Sequence, residues 1–100
     1  MNKIQYLLVD LMEELSEVQK ELSKCIKFTP EHRPDCYETT NFERLRLEIA
    51  DVWAVLGILL EEGMDLSIED NPSCYKKFKE KRGRIKEHMQ ISKNLGMLHE

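Results

Sequence analysis

Apolar residues recur at three- and four-residue steps through the first quarter of the chain, at Ile4, Leu8, Leu11, Leu15, Val18, Leu22 and Ile26. That spacing predicts an amphipathic helix from about Lys3 to Lys27, roughly 35 Å long. The pattern breaks between Phe28 and Thr40, where Pro30, Pro34 and short polar residues predict a loop. Thr40 and Glu43 have the spacing of a capping box opening a second long helix to about Glu62, which Gly63 is placed to end in the left-handed conformation. Asn71 and Pro72 predict the N-cap and first turn of a third helix reaching about Met89, weakened in its middle by Gly83. Gly96 is expected to end any helical tail. No stretch alternates apolar and polar residues as a strand does, so the class is all-α. The expected architecture is a helical bundle of two long antiparallel helices and a third C-terminal helix, with residues 1–100 as a single domain.

Two acidic clusters interrupt this apolar pattern, Glu13-Glu14-x-x-Glu17 in the first helix and Glu48-x-x-Asp51 in the second. Residues three apart share a helix face, so Glu14 with Glu17 and Glu48 with Asp51 each present two carboxylates toward a common point. Projected at about 100° per residue, both pairs border an apolar stripe. In the first helix the stripe holds Leu7, Leu11, Leu15, Val18 and Leu22, and in the second Leu45, Ile49, Val52, Leu56 and Leu59. Packing stripe on stripe gathers four carboxylates, whose mutual repulsion asks for a divalent cation. By contrast, Glu21, Glu43, Glu61, Glu62 and Glu80 read as ordinary solvated positions supported by neighbouring lysines and arginines.

The second helix carries a further apolar group, Leu47, Ala54 and Ile58, on the opposite flank of its acids. One antiparallel neighbour cannot cover so wide an arc, so the bundle is expected to be completed by oligomerisation, as a homodimer or homotetramer. Charged residues make up 34% of the chain and the net charge is −4, which points away from nucleic acid and from disorder. The longest apolar run, Val52–Leu60, is about half a bilayer span and the start lacks a secretion signal, so no membrane partner and a cytoplasmic location are expected. Cys25, Cys36 and Cys74 are odd in number and lack CxxC spacing, which argues against a disulfide framework.

All-oxygen ligation favours a hard cation, Mg²⁺ with Mn²⁺ as a substitute. A carboxylate di-iron centre needs Glu-x-x-His, and none of the three histidines follows a glutamate by three positions. A zinc site at His32, Cys36 and Cys74 fits no recognised spacing. Mg²⁺ in a helical bundle suits phosphate chemistry, and the third helix offers cations for phosphate oxygens, among them Lys77, Lys81 and Arg84. No glycine-rich phosphate loop is present, so side chains must do the binding.

Glu13-Glu14-Leu15-Ser16-Glu17 followed by Glu48-Ile49-Ala50-Asp51 closely resembles the EExxE and ExxD signature of the MazG-like, all-α nucleoside triphosphate pyrophosphohydrolases. The likeness extends over most of the chain, through Glu17-Val18-Gln19-Lys20, Asn41-Phe42-Glu43-Arg44-Leu45 and the segment Lys81–Leu98, and is greatest to the short single-domain members of phages and bacteria. The resemblance implies a Mg²⁺-dependent hydrolase that cleaves a nucleoside triphosphate between the α and β phosphates, giving monophosphate and pyrophosphate. Carried over by position, it makes Glu14, Glu17, Glu48 and Asp51 the metal ligands. Glu13, at the edge of the site on the helical wheel, is the catalytic candidate, either supporting the ligands from behind or orienting the water. Trp53 and Phe28 are candidates to pack against the base, with Trp53 better suited to an interface or core. The competing class is a non-catalytic helical regulatory or assembly module, against which the intact acid set argues.

Overall fold

The computed structural model describes residues 1–99. Three helices make up its regular structure: α1 (Lys3–Phe28), α2 (Asn41–Glu61) and α3 (Pro72–Asn94). No strand occurs among the described residues. Met1–Leu66 form one compact unit, and the chain from Ser67 onward forms a second.

Each helix begins where a side chain satisfies backbone groups that the first turn leaves open. At α1 the Gln5 N–H donates to Asn2 Oδ1 at 2.8 Å and the Asn2 N–H donates to Gln5 Oε1 at 2.9 Å. The expected Thr40–Glu43 box is present at α2, its Glu43 N–H donating to Thr40 Oγ1 at 3.1 Å. Asn71 caps α3 by accepting from the Cys74 N–H at 3.1 Å, with Pro72 in the first turn. α2 ends as its sequence predicts: Gly63 adopts φ 94°, and the Met64 N–H turns back to the Leu59 carbonyl at 2.9 Å. α3 runs five residues beyond the expected Met89, passing through Gly83 unbroken and ending before Gly96 at φ 76°. One interior glycine costs only about 1 kcal/mol, and no proline follows to stop the helix.

α1 has no glycine at its end. Thr29 stands there with φ 76° and ψ 152°, a region that glycine fills almost alone. Its carbonyl accepts from the Asn41 side-chain amide at 3.1 Å and from the His32 N–H at 3.4 Å. Asn41 is fully buried and all its groups are used: its amide nitrogen on Thr29, its amide oxygen by Arg44, and its backbone N–H on the His32 carbonyl. The Phe42 N–H adds a bond to the Pro30 carbonyl at 2.8 Å. The loop between α1 and α2 is thereby tied to the first residues of α2.

The buried apolar centre of the first unit is small, consisting of Leu7, Val55 and Leu59, with Ile4, Leu8, Leu11, Leu56 and Met64 packed against it. Lys3 and Glu62 approach to 3.9 Å beside it. α1 and α2 meet over only part of the stripes that the wheel predicts: Leu7, Leu11, Leu56 and Leu59 pack together, but Leu15 and Leu22 are 51% and 45% exposed and Ile49 is exposed, while Val55, outside the stripe, is buried. The contact line runs through the acidic positions, with Glu14 and Glu48 half-buried and Glu21 buried, and does not pass beside them. An apolar arc wider than one neighbour leaves several rotations open, and the chosen one puts Leu7 and Leu11 in register with Val55 and Leu59.

Replacing Thr29 by Gly removes a strained threonine conformation worth about 1–3 kcal/mol, against about 0.5–1 kcal/mol of added unfolded-state freedom. The Thr29→Gly protein is expected to be about 1 kcal/mol more stable in urea denaturation. A loss of stability would show that the threonine is not strained there.

Candidate metal centre

Acidic residues on α1 follow one another at positions 10, 14, 17 and 21, steps of four, three and four that keep all of them on one face. On α2 the matching column reads Asn41, Arg44, Glu48, Asp51, Val55 and Leu59. Facing these two columns makes a seam that is apolar over Leu7, Leu11, Val55 and Leu59 and charged over the rest.

Within the charged part, Glu14, Glu48 and Asp51 each bring one carboxylate oxygen to within 4.8 Å of the other two. Glu14 and Glu48 are half-buried and Asp51 is exposed. Of the five acids expected at the site, these three are the ones brought together. Glu17 is exposed and stands outside the group, one turn along α1, yet its charge acts on both Glu14 and Glu48. Glu13 is exposed, and its charge is the smallest of those acting on Glu14.

The electrostatic cost of this arrangement shows in the proton affinities. Burial first, then the charge of Asp51, followed by Asp10, Glu17 and Glu13, pushes Glu14 above the ordinary glutamate value of 4.5. Glu48 rises for the same reasons: burial, then Asp51, Glu14, Glu17 and Glu21. Among the described residues, no cation is among the groups that act on them. Lys3–Glu62, Lys24–Glu21, Arg44–Glu21 and Lys76–Glu80 form ion pairs, and none of these includes a member of the cluster.

The donor set suits a hard divalent ion. An octahedral Mg²⁺ holds oxygens at about 2.1 Å, so oxygens on opposite sides of it stand about 4.2 Å apart. Three carboxylates also leave coordination positions for water and phosphate oxygens.

Asp10 and Glu21 belong to this electrostatic neighbourhood although the paired motifs do not include them. The four-three-four ladder on α1 is the signal that finds them, since Asp10 lies one turn before Glu14 and Glu21 one turn after Glu17. Glu21 corrects an expectation: it is 6% exposed, not solvated, and accepts from Lys24 Nζ at 3.2 Å and Arg44 Nε at 3.4 Å. A burial of that kind needs cations from both its own helix and α2, and only the second is invisible on a single helical wheel.

The expected phosphate ligands lie in the second unit. Lys77, Lys81 and Arg84 share one exposed face of α3 at four- and three-residue spacing. Their neighbours are engaged locally: Lys79 and Arg82 lie over the rings of Tyr75 and Phe78, and Lys76 pairs with Glu80. The base-packing candidates are both exposed, Trp53 at 70% and Phe28 tilted against His32 with ring centroids 5.8 Å apart. A core position for Trp53 is thereby excluded. A groove of about 320 Å³ lined by Tyr6, Leu7, Ile58 and Glu62 lies at the apolar end of the seam, and the acids do not line it. Compared with models of protein families, with curated proteins and with solved structures, the chain matches none.

Because Glu14 and Glu48 bind protons more tightly when folded than when unfolded, their contribution to stability is fullest below pH 4.5 and is lost as pH rises through their raised folded values. In EDTA, Glu48→Gln is expected to raise the urea midpoint at pH 7 and to narrow its advantage over wild type as the pH falls to about 4.5. An advantage that does not change with pH would mean the repulsion is not the cause.

Proposed function

We propose that this chain is a MazG-like nucleoside triphosphate pyrophosphohydrolase that uses Mg²⁺ to cleave its substrate between the α and β phosphates. The observation that carries the reading is the approach of Glu14, Glu48 and Asp51 to within 4.8 Å, from two helices and two separate motifs, with no cation of the chain among them. Acids gathered across a helix seam at an electrostatic cost are what a cation site requires and what a solvated surface avoids.

In this reading Glu14, Glu48 and Asp51 hold the cation and Glu17, one turn along, joins them by rotating its exposed side chain inward. What the cation supplies when bound is neutralisation of the triphosphate oxygens and a water that gives up its proton more easily. Glu13 orients the attacking water and accepts its proton. One water is consumed: its oxygen ends on one of the two fragments as the bridging P–O bond between the α and β phosphates breaks. Lys77, Lys81 and Arg84, on the second unit, are the chain's candidate cations for the remaining phosphate charge.

The same proposal makes the two motif helices an antiparallel pair completed by further copies of the chain. Leu47, Ile58 and Trp53 on α2 are exposed, as are Tyr6, Met12 and Leu22 on α1, and no side chain of α3 is buried. Surfaces of that composition are the kind that subunit interfaces cover.

The test is incubation of the purified protein with a panel of canonical and modified NTPs and dNTPs plus Mg²⁺, with products resolved by chromatography. Monophosphate and pyrophosphate are expected in equal amounts, disappearing with EDTA. Inactivity across the panel would favour a non-catalytic helical module. Glu48→Gln and Asp51→Asn are each expected to lower kcat by about a hundredfold or more while circular dichroism stays unchanged. Full activity in either would remove that residue from the site.

A further inference from the structure

Beside the acidic cluster lies a cation that could cancel it. Arg44 precedes Glu48 by four residues on α2, the spacing at which oppositely charged side chains on one helix face pair with each other. It does not do so. Its Nε donates to Glu21 at 3.4 Å, one terminal nitrogen donates to the Thr39 carbonyl at 3.3 Å, and the other donates to Asn41 Oδ1. The flat face of its guanidinium lies 4.0 Å from the centre of the Tyr37 ring. Its side chain is 13% exposed and that of Glu21 only 8%.

These contacts engage all three guanidinium nitrogens and set the ion over a ring, and none of them is to Glu48. Glu21 is the one charged partner among them, and it also holds Lys24 at 3.2 Å. Without that carboxylate, the nearest unpaired negative charge on the helix face of Arg44 is Glu48. An arginine swung onto Glu48 would neutralise the cluster from within and take a position intended for a cation from solution.

Resting on the metal-centre reading above, we infer that Glu21 is a positioning residue: it binds Arg44 so that Glu48, Glu14 and Asp51 stay free of internal cations and available to a divalent ion. Glu21 itself need not touch the metal. Its role differs from that of a simple structural ion pair, because a structural pair matters for stability and this one matters for what Arg44 does when released.

The experiment measures binding of Mn²⁺ alone, followed through the electron paramagnetic resonance signal of the free ion, with thermal unfolding recorded in parallel. Wild type is expected to bind, Glu21→Gln to bind about tenfold or more weakly, and Arg44→Gln to bind at least as tightly as wild type. The double variant Glu21→Gln/Arg44→Gln is expected to return to within about threefold of wild type, because the competing cation is gone. Should Glu21→Gln not fold, Glu21→Asp, whose shorter arm loosens its hold on Arg44, replaces it in both backgrounds with the same order of affinities. Unchanged affinity in the folded single variant overturns the inference, as does a double variant that binds as weakly as the single one. Failure of wild type to bind Mn²⁺ overturns the metal centre itself, and the inference falls with it.

Discussion

Closing α1 on α2 presses carboxylates against one another, and everything else in the first unit is arranged around that repulsion. Glu14, Glu48 and Asp51 meet in the middle of the seam. On one side Leu7, Leu11, Val55 and Leu59 come together, and burying side chains of this size contributes about 1.5–3 kcal/mol each. On the other side Glu21 and Arg44 bridge the helices, and Asn41 ties the loop to α2. The acids are thus held between an apolar clamp and a polar one.

Much of this was legible in the chain because caps and breakers act locally. Asn71-Pro72, Thr40 with Glu43, and Gly63 need only a few neighbouring residues to decide a helix end, and each did so where expected. The rotation of α1 against α2 was not legible, because it depends on which part of a wide apolar arc the partner takes. Val55 sits in the same column as Glu48 and Asp51, so a reading that assigns the acids to a border overlooks it. Leu15 and Leu22 satisfy the periodicity equally well and remain exposed. Glu21 was misread for a related reason: its decisive partner, Arg44, is 23 residues away in sequence and one side chain away in space. The paired acids themselves were found because both motifs repeat at helical spacing, a property visible before any packing is known.

The two clamps also explain why the acid site is defined while the surfaces around it are open. Among the described residues only three apolar side chains are buried, whereas Tyr6, Met12, Leu47, Trp53 and Ile58 remain exposed on the same two helices. The seam is therefore narrow, with Ile4, Leu8, Leu11, Leu56 and Met64 only partly buried around its centre. A substrate the size of a nucleotide needs walls beyond that seam, and the groove at the apolar end does not extend to the acids. Under the proposed function, recognition of the base falls to surfaces that further copies of the chain would bring, which is why the acid motifs carry information about the reaction and little about the base.

Repulsion in the metal-free seam has a thermodynamic counterpart. A centre already relaxed by an internal salt bridge would gain little from a divalent ion, because the arginine would have to be displaced first. Under the proposed function, the repulsion that raises the proton affinity of Glu14 and Glu48 is what a bound cation would relieve. The arginine that could have discharged it is held by Glu21, Asn41, the Thr39 carbonyl and the Tyr37 ring. In the proposed reading, an ion pair outside the centre would thus set how much of the carboxylate repulsion is left for the ion to relieve. The packing of α1 on α2 supplies the constraint that makes such a division possible, because it brings Glu21 within reach of Arg44 in the same closure that brings Glu14 to Glu48 and Asp51.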